Sequence, residues 1–284
     1  VSAVALLIVH SYFQNIALTV SLGVSAIIFG LTILRVDVGV FFLVIAMLLS
    51  PEIDAGKVGI GNRALNVRYN DGLIIVVFVG VLVKCAFEGR QSLWLPNPIN
   101  SGIAIYYGIC LLSSMFAYQR ALPLFDTHEA FFTLLKMVEF YMIFVLVGNA
   151  IRSMKQVRQQ IYLFFAVAMV VALYGMYARF FSGMERVSAP FEQGGTEPNT
   201  LGGYLVLVMC IAGGLYSQAK LKRQRMILLA MIAMAFLPFL FTLSRASYLA
   251  FIAGALALGI SARHYTTVAA VALILILSPT IMPA

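Results

Sequence analysis

The chain has 284 residues, of which 62% are hydrophobic and only 11% charged, with a formal net charge of +8 and a mean hydropathy of +0.98. Soluble domains carry about 25% charged residues, so this composition excludes an ordinary soluble protein and indicates a polytopic membrane protein. The basic residues lie in short loops between apolar runs and form no basic domain or tail, which speaks against a nucleic-acid partner and makes membrane topology the reason for the charge.

Val1 to Val9 is apolar but too short to cross a bilayer, and it lacks the basic start and small-residue cleavage motif of a signal peptide. With no Met at position 1, the N-terminus reads as truncated or processed. Candidate spans then follow in order: Ile16 to Leu34, Val36 to Leu49, Gly72 to Phe87, Ile99 to Ala117, Phe131 to Ala150, Gln160 to Phe181, Thr200 to Ser217, Met226 to Leu243, Ala246 to Ile260 and Thr266 to Met282. Most reach the length of about 20 helical residues that a hydrocarbon core requires, whereas Val36 to Leu49 suits a tilted or partial crossing. Polar and apolar residues do not alternate, so membrane strands are not expected. The expected fold is an all-α transmembrane bundle of about ten spans, one domain over residues 1–284, with no internal repeat.

Two loops carry positive charge and no acid: Arg152, Lys155 and Arg158 in one, Lys220, Lys222, Arg223 and Arg225 in the other. The positive-inside rule assigns both to the cytoplasm, and two spans separate them, so the count agrees with itself. The same topology puts Arg35, Lys84, Arg90 and Arg263 inside, eleven of the nineteen Lys and Arg in all, while only Asp37 and Glu88 of the eleven acids fall there. The Ser182 to Asn199 loop and the Ser244-Arg245 turn are then external, where polar work concentrates.

Cys85, Cys110 and Cys210 lie in or at the edge of apolar runs with no disulfide framework or metal-ligand spacing, and read as packed thiols. Lys136 and Glu139 stand three apart within an apolar run, share a helix face and are expected to neutralise each other as an intramembrane ion pair. In the external loop, Gly194 and Gly195 permit close approach of backbone to a ligand, and Asn199 is expected to cap the following helix. Met226 to Ile260 would make one helix of about 52 Å, beyond a bilayer core of about 30 Å, so the chain must turn back. Pro238 weakens the first part and Ser244 can cap the second, which places the reversal near Thr242 to Arg245. Arg245 then stands at a helix N-terminus, where free N–H groups already favour an anion such as phosphate or diphosphate. A bilayer-edge arginine that snorkels to lipid headgroups is the competing reading. Behind it, Ala246, Ala250 and Gly254 form a small-residue ridge expected to admit a neighbouring helix. Nucleotide-binding, zinc-protease and serine-hydrolase signatures are missing, as is a metal-ligand set.

These residues resemble the O-antigen ligase and polymerase-like membrane proteins. Arg186, Pro190-Phe191 and Glu197-Pro198-Asn199-Thr200-Leu201-Gly202 are similar to that family's arginine, small loop and Pro-Asn helix opening. Thr242-Leu243-Ser244-Arg245-Ala246 is similar to its Thr-x-Ser-Arg-Gly/Ala signature, and Asn70-Asp71-Gly72, Lys136 to Asn149 and Ile151 to Val157 add weaker likeness. The likeness extends over most of the chain, though the motifs are short.

The resemblance implies a type C membrane glycosyltransferase that needs no metal, cofactor or nucleotide sugar. Such an enzyme moves a saccharide from undecaprenyl diphosphate to lipid A core, a growing glycan or a protein hydroxyl, at the external face of the bacterial inner membrane. Carried over, Arg186 and Arg245 are the catalytic residues that bind and polarise the donor diphosphate, with Asn199 and Ser244 in the same diphosphate site. One departure stands out: the family's large external loop, with a His that activates the acceptor, would begin about where the sequence stops at Ala284. The expectation is therefore a chain truncated before that loop, or a shortened relative that binds polyprenyl glycans without transferring them; Glu197 and His128 are the residues that could substitute as base. A transporter or flippase of lipid-linked saccharide and a non-catalytic membrane subunit remain alternatives.

Overall fold

Long runs of Leu, Ile, Val, Phe and Ala have no water in a bilayer to satisfy their backbone, so they close their hydrogen bonds internally as helices. The computed structural model describes residues 19–50, 52–53, 67–89, 97–120, 127–190 and 198–261. Its helices are α1 (Thr19–Leu34), α2 (Val36–Leu49), α3 (Tyr69–Phe87), α4 (Ile99–Gln119), α5 (Thr127–Ala150), α6 (Met154–Phe180), α7 (Pro198–Gln218), α8 (Lys222–Phe241) and α9 (Arg245–Ser261). A two-residue antiparallel pair, β1 (Glu52–Ile53) and β2 (Val67–Arg68), precedes α3, a minor departure from the wholly helical expectation.

Among the described residues six helices, α3 to α8, are long and apolar enough to cross a membrane, against the expected count of about ten. Two interruptions divide the apolar sequence. Arg35 is extended and its guanidinium pairs with Asp37 at 2.6 Å, ending one apolar helix and starting another, and α2 runs only from Val36 to Leu49. Leu243 takes a left-handed conformation at φ 49° and cuts α9 off from α8. The expected span Thr266 to Met282 lies outside the described residues.

The chain divides into two compact units, Val1–Gln160 and Ile161–Ala284. In the first, α1, α2, α3 and α5 share a core of Ile28, Val40, Leu43, Ile74, Val77, Val81, Leu146 and Ala150. Gly39 and Gly80 both face Thr32, and a Cβ on Gly39 would lie 2.6 Å from the Thr32 hydroxyl, so close helix approach depends on that bare backbone. The hydroxyl itself is satisfied by donating to the Ile28 carbonyl at 2.7 Å. At the start of α6, Ser153 and Gln156 form a reciprocal capping box: Ser153 N–H donates to Gln156 Oε1 at 3.1 Å, and Gln156 N–H to Ser153 Oγ at 3.3 Å.

In the second unit α7 packs on both α8 and α9. Three glycines of α7 and α9 record the direction: Gly202 meets Ser247, Gly254 meets Cys210 and Gly213 meets Leu258, so residue numbers rise together and the two helices run parallel. The expected ridge is thus only partly the contact, because Ala246 and Ala250 are exposed while Gly254 touches α7. The helical period accounts for Ala246: Ser247, Gly254 and Leu258 differ by seven and four residues, which places them on one stripe, and Ala246 sits one residue off it. Opposite, Gly175 of α6 abuts the Pro238 ring of α8, where an added Cβ would come within 2.9 Å.

Candidate functional site

The reversal between α8 and α9 falls where the sequence places it. Pro238 sits inside α8, and the helix ends at Phe241. Thr242 donates its hydroxyl to the Phe239 carbonyl at 2.8 Å, and Tyr248 donates to the Leu240 carbonyl at 2.7 Å, so two carbonyls of the last turn find partners. Ser244 then caps α9 as expected, its Oγ accepting the Ser247 N–H at 3.2 Å. Arg245 is the first residue of α9 and its side chain is exposed.

Arg186 reaches this turn from the segment after α6. The neighbouring Val187, fully buried, donates its N–H to the Phe241 carbonyl at 3.0 Å and pins the strap to the end of α8. From there Arg186 Nη2 lies 3.5 Å from the Leu243 carbonyl, the longest contact that still counts as a hydrogen bond. Arg179 braces the base of the strap: its guanidinium stands 5.2 Å over the Phe241 ring and donates to the Met184 carbonyl at 3.1 Å.

Asn199 completes the group, in a role other than the expected one. Helix α7 begins at Pro198, so Asn199 lies inside its first turn and is not the cap. Proline is preferred as the first helical residue because its missing N–H has no intrahelical partner there in any case. The Asn199 side chain instead accepts the Ser244 hydroxyl through Oδ1 at 2.6 Å, tying α7 to the α8–α9 turn. Ser244 and Ser247 Oγ atoms are 2.8 Å apart and both are buried, and Ser247 also approaches the Asn199 carbonyl at 3.5 Å.

All four residues expected to bind the donor diphosphate, Arg186, Asn199, Ser244 and Arg245, are therefore grouped around one turn. Ser244 is buried and structural, whereas Arg186, Asn199 and Arg245 are exposed. With Asn199 Oδ1 occupied by Ser244, its amide N–H groups are the free ones. The arrangement can present two guanidiniums, an amide donor and a helix N-terminus to an anion. Ser247, which packs on Gly202 of α7, was not singled out from sequence; the Ser244-x-x-Ser247 spacing is its one local signal.

Lys136 and Glu139 belong to the first unit and pair at 3.0 Å as expected. A third member was missed: Asp71, whose Oδ1 lies 2.5 Å from Lys136 Nζ and whose Oδ2 accepts the Arg68 N–H at 3.1 Å. Two carboxylates, each with 13% of its side chain exposed, thus share one ammonium. Among the described residues no three His, Cys, Asp or Glu side chains group together as a metal site would need. The side chain of His128, and Phe191, Gly194, Gly195 and Glu197, lie outside the described residues.

Helices of this length and apolarity, in both units, define a multi-pass helical membrane protein. No protein-family model, curated protein or solved structure matches the chain.

Proposed function

We propose that this protein binds the diphosphate of an undecaprenyl-diphosphate-linked glycan at the Arg186, Asn199, Arg245 face and transfers the saccharide to a lipid, glycan or protein hydroxyl, as O-antigen ligase and polymerase-like proteins do. The observation that supports this reading most is that Arg186, 57 residues before Leu243, folds back onto the very turn that starts α9 with Arg245. Two exposed cations beside a helix N-terminus, with a buried serine and an amide holding the turn still, suit a leaving diphosphate whose negative charge grows as the sugar departs. On this reading the site faces the external side of a bacterial inner membrane, and the positive loops at Arg152 to Arg158 and Lys220 to Arg225 face the cytoplasm.

The test is transfer by the protein in proteoliposomes containing undecaprenyl-diphosphate-linked glycan. Arg186→Ala and Arg245→Ala are each expected to lower the transfer rate by roughly a hundredfold or more, the usual cost of removing one transition-state donor. Both variants should retain the wild-type melting temperature, because both side chains are exposed. Unchanged product formation in both would overturn the reading.

A further inference from the structure

In the second unit the connection from α7 into α8 carries Lys220, Lys222, Arg223 and Arg225 and no acid. Arg225 is engaged inside the protein: its Nε donates to the Ala219 carbonyl at 2.8 Å, and its guanidinium stands 5.9 Å from the centre of the Tyr216 ring. Those contacts tie the start of α8 to the end of α7 and hold the connection in shape. Lys220, Lys222 and Arg223 are exposed, and among the described residues none of them makes an ion pair. The first turn of α8 contains no acid, so these charges meet the positive end of the helix dipole with no carboxylate in that turn to offset them.

The apolar residues that follow are in register with the cations. Met226 lies four residues after Lys222, and Ile227 four after Arg223, so each cation shares a helix face with an apolar side chain one turn further along α8. Both apolar side chains are open, Met226 at 58% and Ile227 at 52% exposure, and Leu229 continues the same apolar surface. Positive charge followed at once by uncovered hydrocarbon matches the two ends of a phospholipid.

We propose that this surface holds an anionic phospholipid, with Lys220, Lys222 and Arg223 on the headgroup phosphate and the acyl chains laid along Met226 and Ile227. Basic residues clustered at the end of a membrane helix attract anionic lipid, and here the hydrocarbon that a lipid chain needs begins one turn below them. A soluble polyanion would satisfy the cations and leave that apolar half unused, which makes lipid the occupant. The surface lies at the opposite end of α8 from the Arg186 and Arg245 turn, and the inference does not rest on any transfer activity.

The full chain is reconstituted in liposomes with Ile227→Trp as a local reporter and Trp94→Phe to remove the one native tryptophan. Quenching by dibrominated phosphatidylglycerol, compared with dibrominated phosphatidylcholine, gives the relative binding constant of the lipids at this face. The anionic lipid is expected to be preferred roughly tenfold or more, and Lys222→Gln and Arg223→Gln are each expected to cut that preference about fivefold, as for one cation at a membrane surface. Because both side chains are exposed, the variants should melt with the parent. Arg245→Gln removes the same charge beyond the other end of the 20-residue α8, about 30 Å away and past a screening length of about 10 Å, and should leave the preference unchanged. Equal binding of the lipids by the parent overturns the proposal. So does a preference that survives in both Lys222→Gln and Arg223→Gln, or one that falls as far in Arg245→Gln.

Discussion

Lys136 holds two carboxylates that would otherwise repel each other inside an apolar helix pair. Asp71 and Glu139 are both largely buried, and Lys136 touches each of them. Removing the cation leaves two unpaired charges, so Lys136→Met should destabilise the protein by about 3 kcal/mol, the lower end for breaking a buried pair. Glu139→Gln leaves a neutral Asp71–Lys136 pair and should cost less than about 1 kcal/mol. Thermal unfolding in detergent separates the two, and equal losses would show that the charges are compensated elsewhere. The Lys136–Glu139 half of this cluster was legible because both residues sit on one helix at a three-residue spacing. Its Asp71 partner was not, since it lies 65 residues away on another helix and only tertiary packing brings it there.

At the scale of elements, the α8–α9 turn rests on a leucine in a conformation that L-residues avoid. Leu243 has φ 49°, and its side chain is exposed, so nothing is gained by the side chain to offset the backbone cost. Left-handed geometry costs an ordinary residue about 1–2 kcal/mol, and glycine escapes that while giving up about 0.5–1 kcal/mol in chain entropy. Leu243→Gly should therefore melt within about 1 kcal/mol of wild type, whereas Leu243→Pro, locked at negative φ, should lose about 3 kcal/mol or more. A melting curve for each variant decides the point, and a strongly destabilised glycine variant would contradict it. The turn's location was readable from Pro238, Ser244 and the excess length of the run. Its conformation was not, because leucine carries no signal for left-handed backbone. Asn199 was misplaced by a single position for a similar reason: Asn and Pro both mark helix starts, and proline took the first helical place.

For the whole molecule, hydropathy located the helices well, since a bilayer-length apolar run has few alternatives to a helix. It overcounted crossings where a run is cut by a charged pair: α2 spans only about 21 Å at 1.5 Å per residue. Sidedness is testable with cysteines introduced at Ser182 and Arg223, the first before the Arg186 strap and the second in the basic first turn of α8. An impermeant thiol reagent applied to intact cells should label the Ser182 position and spare the Arg223 position until the membrane is opened. The reverse pattern would invert the topology and take the Arg186 and Arg245 turn to the cytosol.

The bare backbone of Gly254 lies directly over the Cys210 sulfur, where even a methyl group would come within 2.5 Å. That contact makes the parallel α7–α9 seam selectively vulnerable: an electrophile that adds to this thiol becomes a wedge between the two helices. Because α7 carries Asn199 and α9 carries Arg245, alkylating a sulfur well removed from the turn would loosen the grip on any anion held there. A native cysteine thus offers a chemical handle for disabling the site without touching the residues that form it.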